Sequence, residues 1–94
     1  MADIFEVGET VVCSPSVTKD GVAFDPVTSM KCSIIRLKPS YDVTVADTAM
    51  SNDSTGEYHY DFQSAGEVPG TYKARYTSTN GLRITIEDFE FELI

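Results

Sequence analysis

His59 is the sole histidine of the chain and Cys13 and Cys32 are its two cysteines, so acid–base, nucleophilic or soft-metal chemistry near neutral pH would start from these three side chains. Serines are plentiful, but no G-x-S-x-G occurs and no second base accompanies the histidine, so no serine is set up for activation. His59 also falls on the polar face of the alternating stretch Glu57-Tyr58-His59-Tyr60-Asp61-Phe62, which directs it toward solvent or a partner. A pair of carboxylates could in principle cleave a glycoside. The acidic residues, however, lie mostly in turns or at outward strand positions, and so small a filled domain leaves little room for a water-excluding cleft. The chain is therefore expected not to be an enzyme and to hold no catalytic residue.

Metal chemistry is poorly served as well. Two cysteines and one histidine are too few ligands, and neither C-x-x-C nor H-x-x-x-H spacing occurs. Oxygen ligands do crowd the stretch Asp47 to Gly56, where Asp47, Ser51, Asn52, Asp53, Ser54 and Thr55 would suit a hard cation. The D-x-[DN]-x-[DN]-G spacing of an EF-hand is absent, and Asx and Ser residues favour turns for local hydrogen-bonding reasons. No cofactor or metal is expected, with a calcium ion near Asp53 the alternative left open. The N-terminal MADIFEVGET lacks the basic start and apolar core of a secretory signal, so synthesis in a cytosol is expected, where stable disulfides are rare. Cys13 and Cys32 occupy apolar strand positions and read as buried thiols acting as small hydrophobes, a bridge between them being the alternative.

Ninety-four residues make one domain, 1–94, whose folding buries roughly two-thirds of the unfolded chain's surface. Fifteen acidic against seven basic residues give a net charge of −8. That balance argues against nucleic acid or an anionic membrane as partner, since both would repel the chain. No stretch approaches the roughly 20 apolar residues of a membrane span.

The elements that must position these residues are strands. The organising stretch is Glu57 to Ser78, where Tyr58, Tyr60 and Phe62, then Tyr72, Ala74 and Tyr76, alternate with polar residues. It reads as two consecutive, adjacent hairpin arms whose aromatic rings fill the space between stacked sheets. Before it come short strands at Ile4 to Val7 and Glu9 to Ser14, stopped by Pro15. A tight turn follows at Asp20-Gly21, then Phe24 as a core anchor and a turn at Asp25-Pro26. Thr28 to Leu37 is the candidate central strand, with Met30, Cys32 and Ile34 inward, closed by Lys38-Pro39-Ser40. Asp42 to Ala46 is another strand, and Asp47 to Gly56 reads as a polar, turn-rich loop whose Ala49 and Met50 plug one end. After a turn at Thr79-Asn80-Gly81, the closing LRITIEDFEFELI changes phase: Leu82, Ile84 and Ile86 are apolar at even positions, Phe89, Phe91 and Leu93 at odd ones. A bulge near Glu87-Asp88 is expected to restore the register. Seven or eight short strands without a helical period favour an all-β antiparallel sandwich.

Pro69-Gly70-Thr71-Tyr72 resembles the tyrosine corner of immunoglobulin-like (Ig-like) β-sandwiches, in which a tyrosine early in strand F hydrogen-bonds back to the preceding loop. The stretches GETVVCSPSVTKDGVAFDP, AMSNDSTGEYHYDF, PGTYKARYTSTNG and the closing DFEFEL together resemble the small Ig-like modules encoded among tailed-phage structural genes. Similar patterns occur in fibronectin type III-like domains of bacterial surface proteins. There is no tryptophan, and Ala74 stands where antibody-type domains place a cysteine, so the resemblance does not bring their B–F disulfide.

The resemblance implies a virion accessory part, made in the host cytoplasm, that docks on capsid, portal, neck or tail subunits as a decoration, neck or head–tail module. Self-association on the particle is open, and the alternative is a free-standing protein- or glycan-binding Ig-like module of a bacterial assembly. Six of the seven basic residues, Lys31, Arg36, Lys38, Lys73, Arg75 and Arg83, fall on or beside the strands that would be C, F and G and would share one sheet. Two candidate interfaces follow: the C-F-G face, carrying Lys31, Lys73, Arg75 and Arg83, and the end loop with Ala49 and Met50. The bland alternative is cross-strand pairing of those cations with Glu87, Glu90 and Glu92.

Overall fold

Where large apolar and polar residues alternate, the chain is extended. The computed structural model describes residues 3–25 and 28–94, and the regular elements among them are all strands. They are β1 (Asp3–Phe5), β2 (Thr10–Cys13), β3 (Thr18–Lys19), β4 (Val22–Ala23), β5 (Ser29–Lys38), β6 (Asp42–Ala49), β7 (Ser51–Ser54), β8 (Glu57–Gln63), β9 (Gly70–Asn80) and β10 (Arg83–Leu93). A five-stranded sheet runs in the order β1-β10-β9-β5-β6, a three-stranded sheet in the order β2-β8-β7, and β3-β4 is a small hairpin. β1 pairs parallel with β10, and the other pairings are antiparallel. This all-β arrangement is compatible with a β-sandwich.

One core joins the two larger sheets. β5, β9 and β10 supply Met30, Cys32, Ile34, Tyr72, Ala74, Tyr76, Phe91 and Leu93, and β2 and β8 supply Val11, Cys13, Tyr58 and Phe62. Their rings mesh around Phe91, which stacks on Tyr72 at 5.6 Å and meets Phe62 at 6.1 Å and the edge of Phe5 at 6.0 Å. The two aromatic strands are not arms of one hairpin. β8 lies in the three-stranded sheet and β9 in the five-stranded one, so residues 64–69 carry the chain from one sheet to the other. The ring-bearing faces of β8 and β9 thus oppose each other across the interior, where Phe62 meets Tyr72 at 6.4 Å.

That crossing is pinned at both ends. Tyr72 donates its hydroxyl proton to the Val68 carbonyl at 2.7 Å. Gly70 packs so closely on the Lys38 carbonyl and the Pro39 ring that any side chain there would collide with backbone. Ser64, fully buried, donates to the Glu9 carbonyl at 2.6 Å and accepts from the Gly8 amide at 3.0 Å, which ties the crossing to the β1–β2 turn.

Two stretches differ from the sequence expectation. Asp47 to Gly56 is not a loop: β6 continues through Ala49 and β7 starts at Ser51, because main-chain pairing with β5 and β8 overrides the low strand propensity of Ser, Asn and Asp. Nor does β10 bulge at Glu87-Asp88. Its register with β9 runs unbroken from Arg83↔Asn80 to Leu93↔Gly70, so odd residues face inward throughout and the even Ile84 and Ile86 face outward. The expected turn at Asp25-Pro26 involves residues 26–27, which lie outside the described residues. With β3, β4 and β7 the described strands number ten, against the seven or eight anticipated.

Tyr72→Phe removes one net hydrogen bond, about 1 kcal/mol, and should lower Tm by roughly 4–8 °C for a domain of this size. Gly70→Ala should cost more, about 1–3 kcal/mol, because the neighbouring groups are main chain and a proline ring that must move. Thermal unfolding followed by circular dichroism ranks the two.

Candidate interaction surface

The outer face of the five-stranded sheet can be laid out row by row from the strand registers. One row runs Glu90, Lys73, Ile35, Val43 across β10, β9, β5 and β6; the next runs Asp88, Arg75, Ser33. A third runs Ile86, Thr77, Lys31, Ala49, and the last Ile84, Thr79, Ser29. Four of the six candidate interface residues, Lys31, Lys73, Arg75 and Ala49, thus share this face. Met50 instead packs partly buried against the core, its amide donating to the Met30 carbonyl at 3.0 Å.

The basic residues do not form one patch. Arg83 pairs with inward-facing Asn80 and lines a cleft on the opposite side, and Arg36 is opposite Tyr72, also on the inner side, its Nε donating to the Ser40 carbonyl at 2.9 Å. Lys38 is exposed at the end of β5. A strand turns alternate residues to opposite faces, so cations at mixed parity split between the two sides. Lys73 and Arg75 are engaged by Asp88: Arg75 makes a two-pronged contact at 2.9 and 3.2 Å, and Lys73 lies at 3.6 Å. The pairing alternative thus applies to this face, with Asp88 as the acid in place of Glu87, Glu90 or Glu92. Hydrogen bonding and charge from Arg75 hold the Asp88 carboxyl below its ordinary range.

What the sequence pattern hid is apolar. Leu82 is 103% exposed, Ile84 64% and Ile86 54%, and all three sit at the far end of the β9–β10 hairpin. Read as inward by their alternation, Ile84 and Ile86 are outward because the strand keeps its parity, and Leu82 lies in the turn that precedes it. The sequence signal was present: nothing between Leu82 and Leu93 is a glycine or proline that would favour a bulge.

The groups that could do chemistry are dispersed. His59 Nδ1 lies 2.8 Å from both oxygens of Asp53, on the polar side of β8. This bond favours the imidazolium and raises the His59 pKa above 6.5. Asn52 turns the other way, donating to Asp25 at 3.2 Å and to the carbonyls of Ser54 and Glu57. Asp25, given only a turn role by the sequence, also accepts from the Gly56 amide at 2.7 Å and from the Tyr58 hydroxyl at 3.3 Å. Asp53 and Asn52 thus bond to different groups, and among the described residues no group of three or more His, Cys, Asp or Glu is placed to hold a metal. Cys13 and Cys32 are buried free thiols that meet across the core from β2 and β5; their mutual hydrogen bond and burial push the Cys32 thiol up. A cleft of about 240 Å³ opens between the β3–β4 hairpin and the β9–β10 hairpin, lined by Phe24, Tyr76, Ser78, Arg83, Thr85 and Glu87 among others, with His59 outside it.

Comparison with family models, with curated proteins and with solved structures finds no match to this chain.

Two titrations follow. In NMR, His59 should titrate above 6.5 in the folded protein, and Asp53→Asn should bring it back toward that value. Because the folded value is raised, the stabilisation is complete below the unfolded value and is lost as pH rises through the folded one. For Asp88 the folded value is lowered from 3.8, so its stabilisation is present above 3.8 and lost as pH falls through the folded value. Asp88→Asn should therefore flatten the acid limb of a stability–pH curve, by only a few tenths of a kcal/mol since the pair is partly exposed.

Proposed function

We propose that this chain is a non-enzymatic Ig-like interaction module, a tailed-phage virion accessory protein that docks on capsid, neck or tail subunits. The observation that carries the reading is the outer face of the five-stranded sheet. It is broad, has Lys31 exposed beside the Asp88 ion-pair cluster and Ile84 and Ile86 exposed next to it, and bears no reacting group. Exposed apolar residues rimmed by charge are the usual marks of a protein-binding surface. Charges at the rim steer the encounter and a few apolar contacts hold it.

The Ig-like reading rests on topology and on the corner. With β2, β8 and β7 as strands B, E and D, and β10, β9, β5 and β6 as G, F, C and C′, the order within each sheet follows the Ig-like pattern. The Tyr72 bond to Val68 has the form of a tyrosine corner. The non-enzymatic reading rests on His59, whose partner is a single exposed carboxylate, and on a cleft that contains neither His59 nor a cysteine. The virion reading rests on the resemblance of the sequence to phage-encoded Ig-like modules.

The test is compositional and then mutational. Mass spectrometry of purified particles produced from the encoding genome should find the chain at a fixed ratio to the major capsid or tail protein. Lys31→Glu with Ile86→Thr, folded by circular dichroism, should lower its occupancy several-fold. A chain missing from purified particles, or a double variant retained at full occupancy, defeats the proposal or this choice of face respectively.

A further inference from the structure

The unbroken β10 leaves part of a sheet edge open. Residues of one parity aim their amide and carbonyl groups to the same side of a strand. On β10 the even side faces β1, since Ile94 donates to the Phe5 carbonyl at 2.9 Å and accepts from the Val7 amide at 3.0 Å. β1 pairs only with Phe91 to Leu93. From Arg83 to Asp88, therefore, the amides and carbonyls of Ile84, Ile86 and Asp88 have no strand beside them among the described residues. Such an edge is a template for another strand.

We infer that this edge pairs antiparallel with the same edge of a second copy of the chain, across a two-fold axis at Thr85. The sequence of the edge is complementary to itself in that register. Ile84 of one copy faces Ile86 of the other, twice, and Arg83 faces Glu87, twice. Ile84 and Ile86 are of the parity that aims outward, so each Ile84–Ile86 pair exchanges both main-chain hydrogen bonds, with Thr85 opposite Thr85 as the non-bonded pair at the axis. The faces agree as well: the isoleucines of both copies meet on the outer side, and Arg83 and Glu87 meet on the cleft side. A two-residue slip sets Arg83 opposite Thr85 or Phe89 and loses both ion pairs. The result is one continuous sheet of ten strands that covers apolar side chains otherwise left in water. Because only about five residues per copy pair, the contact is below the size of a permanent interface and depends on concentration.

The experiment uses charge reversal on the purified chain. Sedimentation velocity over a range of concentrations should show a reversible monomer–dimer equilibrium. Arg83→Glu places four acids at the junction and Glu87→Arg four bases, so each variant alone should dimerise about tenfold more weakly or worse. Mixing the two variants should restore association as a heterodimer, because every pair is then opposite in sign, and the double variant R83E/E87R should dimerise like the parent. Ile84→Thr with Ile86→Thr, which keeps strand propensity at exposed positions, should abolish the dimer while circular dichroism stays unchanged. A parent chain that remains monomeric at high concentration overturns the inference. So does a dimer indifferent to both reversals, or singles whose mixture does not associate. The readout is taken on the isolated protein, so its failure leaves the docking proposal standing.

Discussion

The structure depends on the packing of Phe91 between its two sheets. It is fully buried and touches Tyr72 on the neighbouring strand, Phe62 across the interior, and Phe5 and Phe89 at its flanks. Each ring contact adds roughly 0.5–1.5 kcal/mol to the burial of the ring itself. In a chain this short no second core could take over. β1 is held to β10 beside this cluster, and the crossing from β8 to β9 delivers Tyr72 into it, so the order of both sheets follows from where these rings must go.

The polar groups near the cluster are arranged to let the chain cross over it without stranding main-chain atoms. Ser64 satisfies the Gly8 amide and the Glu9 carbonyl in the interior, and Asp25 gathers the Gly56 amide, the Asn52 amide and the Tyr58 hydroxyl where the β7–β8 turn closes. No buried side-chain polar atom among the described residues lacks a partner. Each bond is a modest net contribution, but an unpaired buried group at any of these places would cost more than the bond returns.

Away from the rings the same strands behave differently. β10 enters the core at Phe89 and leaves it toward Arg83, where the inner side opens into a cleft lined by Arg83, Thr85 and Glu87 and the outer side carries Ile84 and Ile86. The strand has in effect exchanged its apolar and polar faces without changing its geometry. The result is that Ile84 and Ile86 stand exposed at this end of the sheet while the odd residues beside them line the cleft.

Period-two alternation in the residues alone determined that the regular elements are strands, that Tyr58, Phe62, Tyr72 and Tyr76 are core, and that Cys13 and Cys32 are buried. These are properties of near neighbours along the chain, and side-chain parity expresses them directly. The hydrogen bond of Tyr72 back to the preceding loop was legible only through the resemblance of Pro69-Gly70-Thr71-Tyr72 to a tyrosine corner. Tertiary structure decided the rest. Whether Asp47 to Gly56 is loop or strand depended on main-chain partners from β5 and β8, and the splitting of Arg83 from Lys31, Lys73 and Arg75 depended on the register that β10 keeps with β9. The inversion in β10 is the plainest case: the same letters suit a bulge with every apolar residue inside or a straight strand with two of them outside. Only the continuous ladder to β9, formed between residues up to 23 positions apart from Gly70 to Leu93, selects the second.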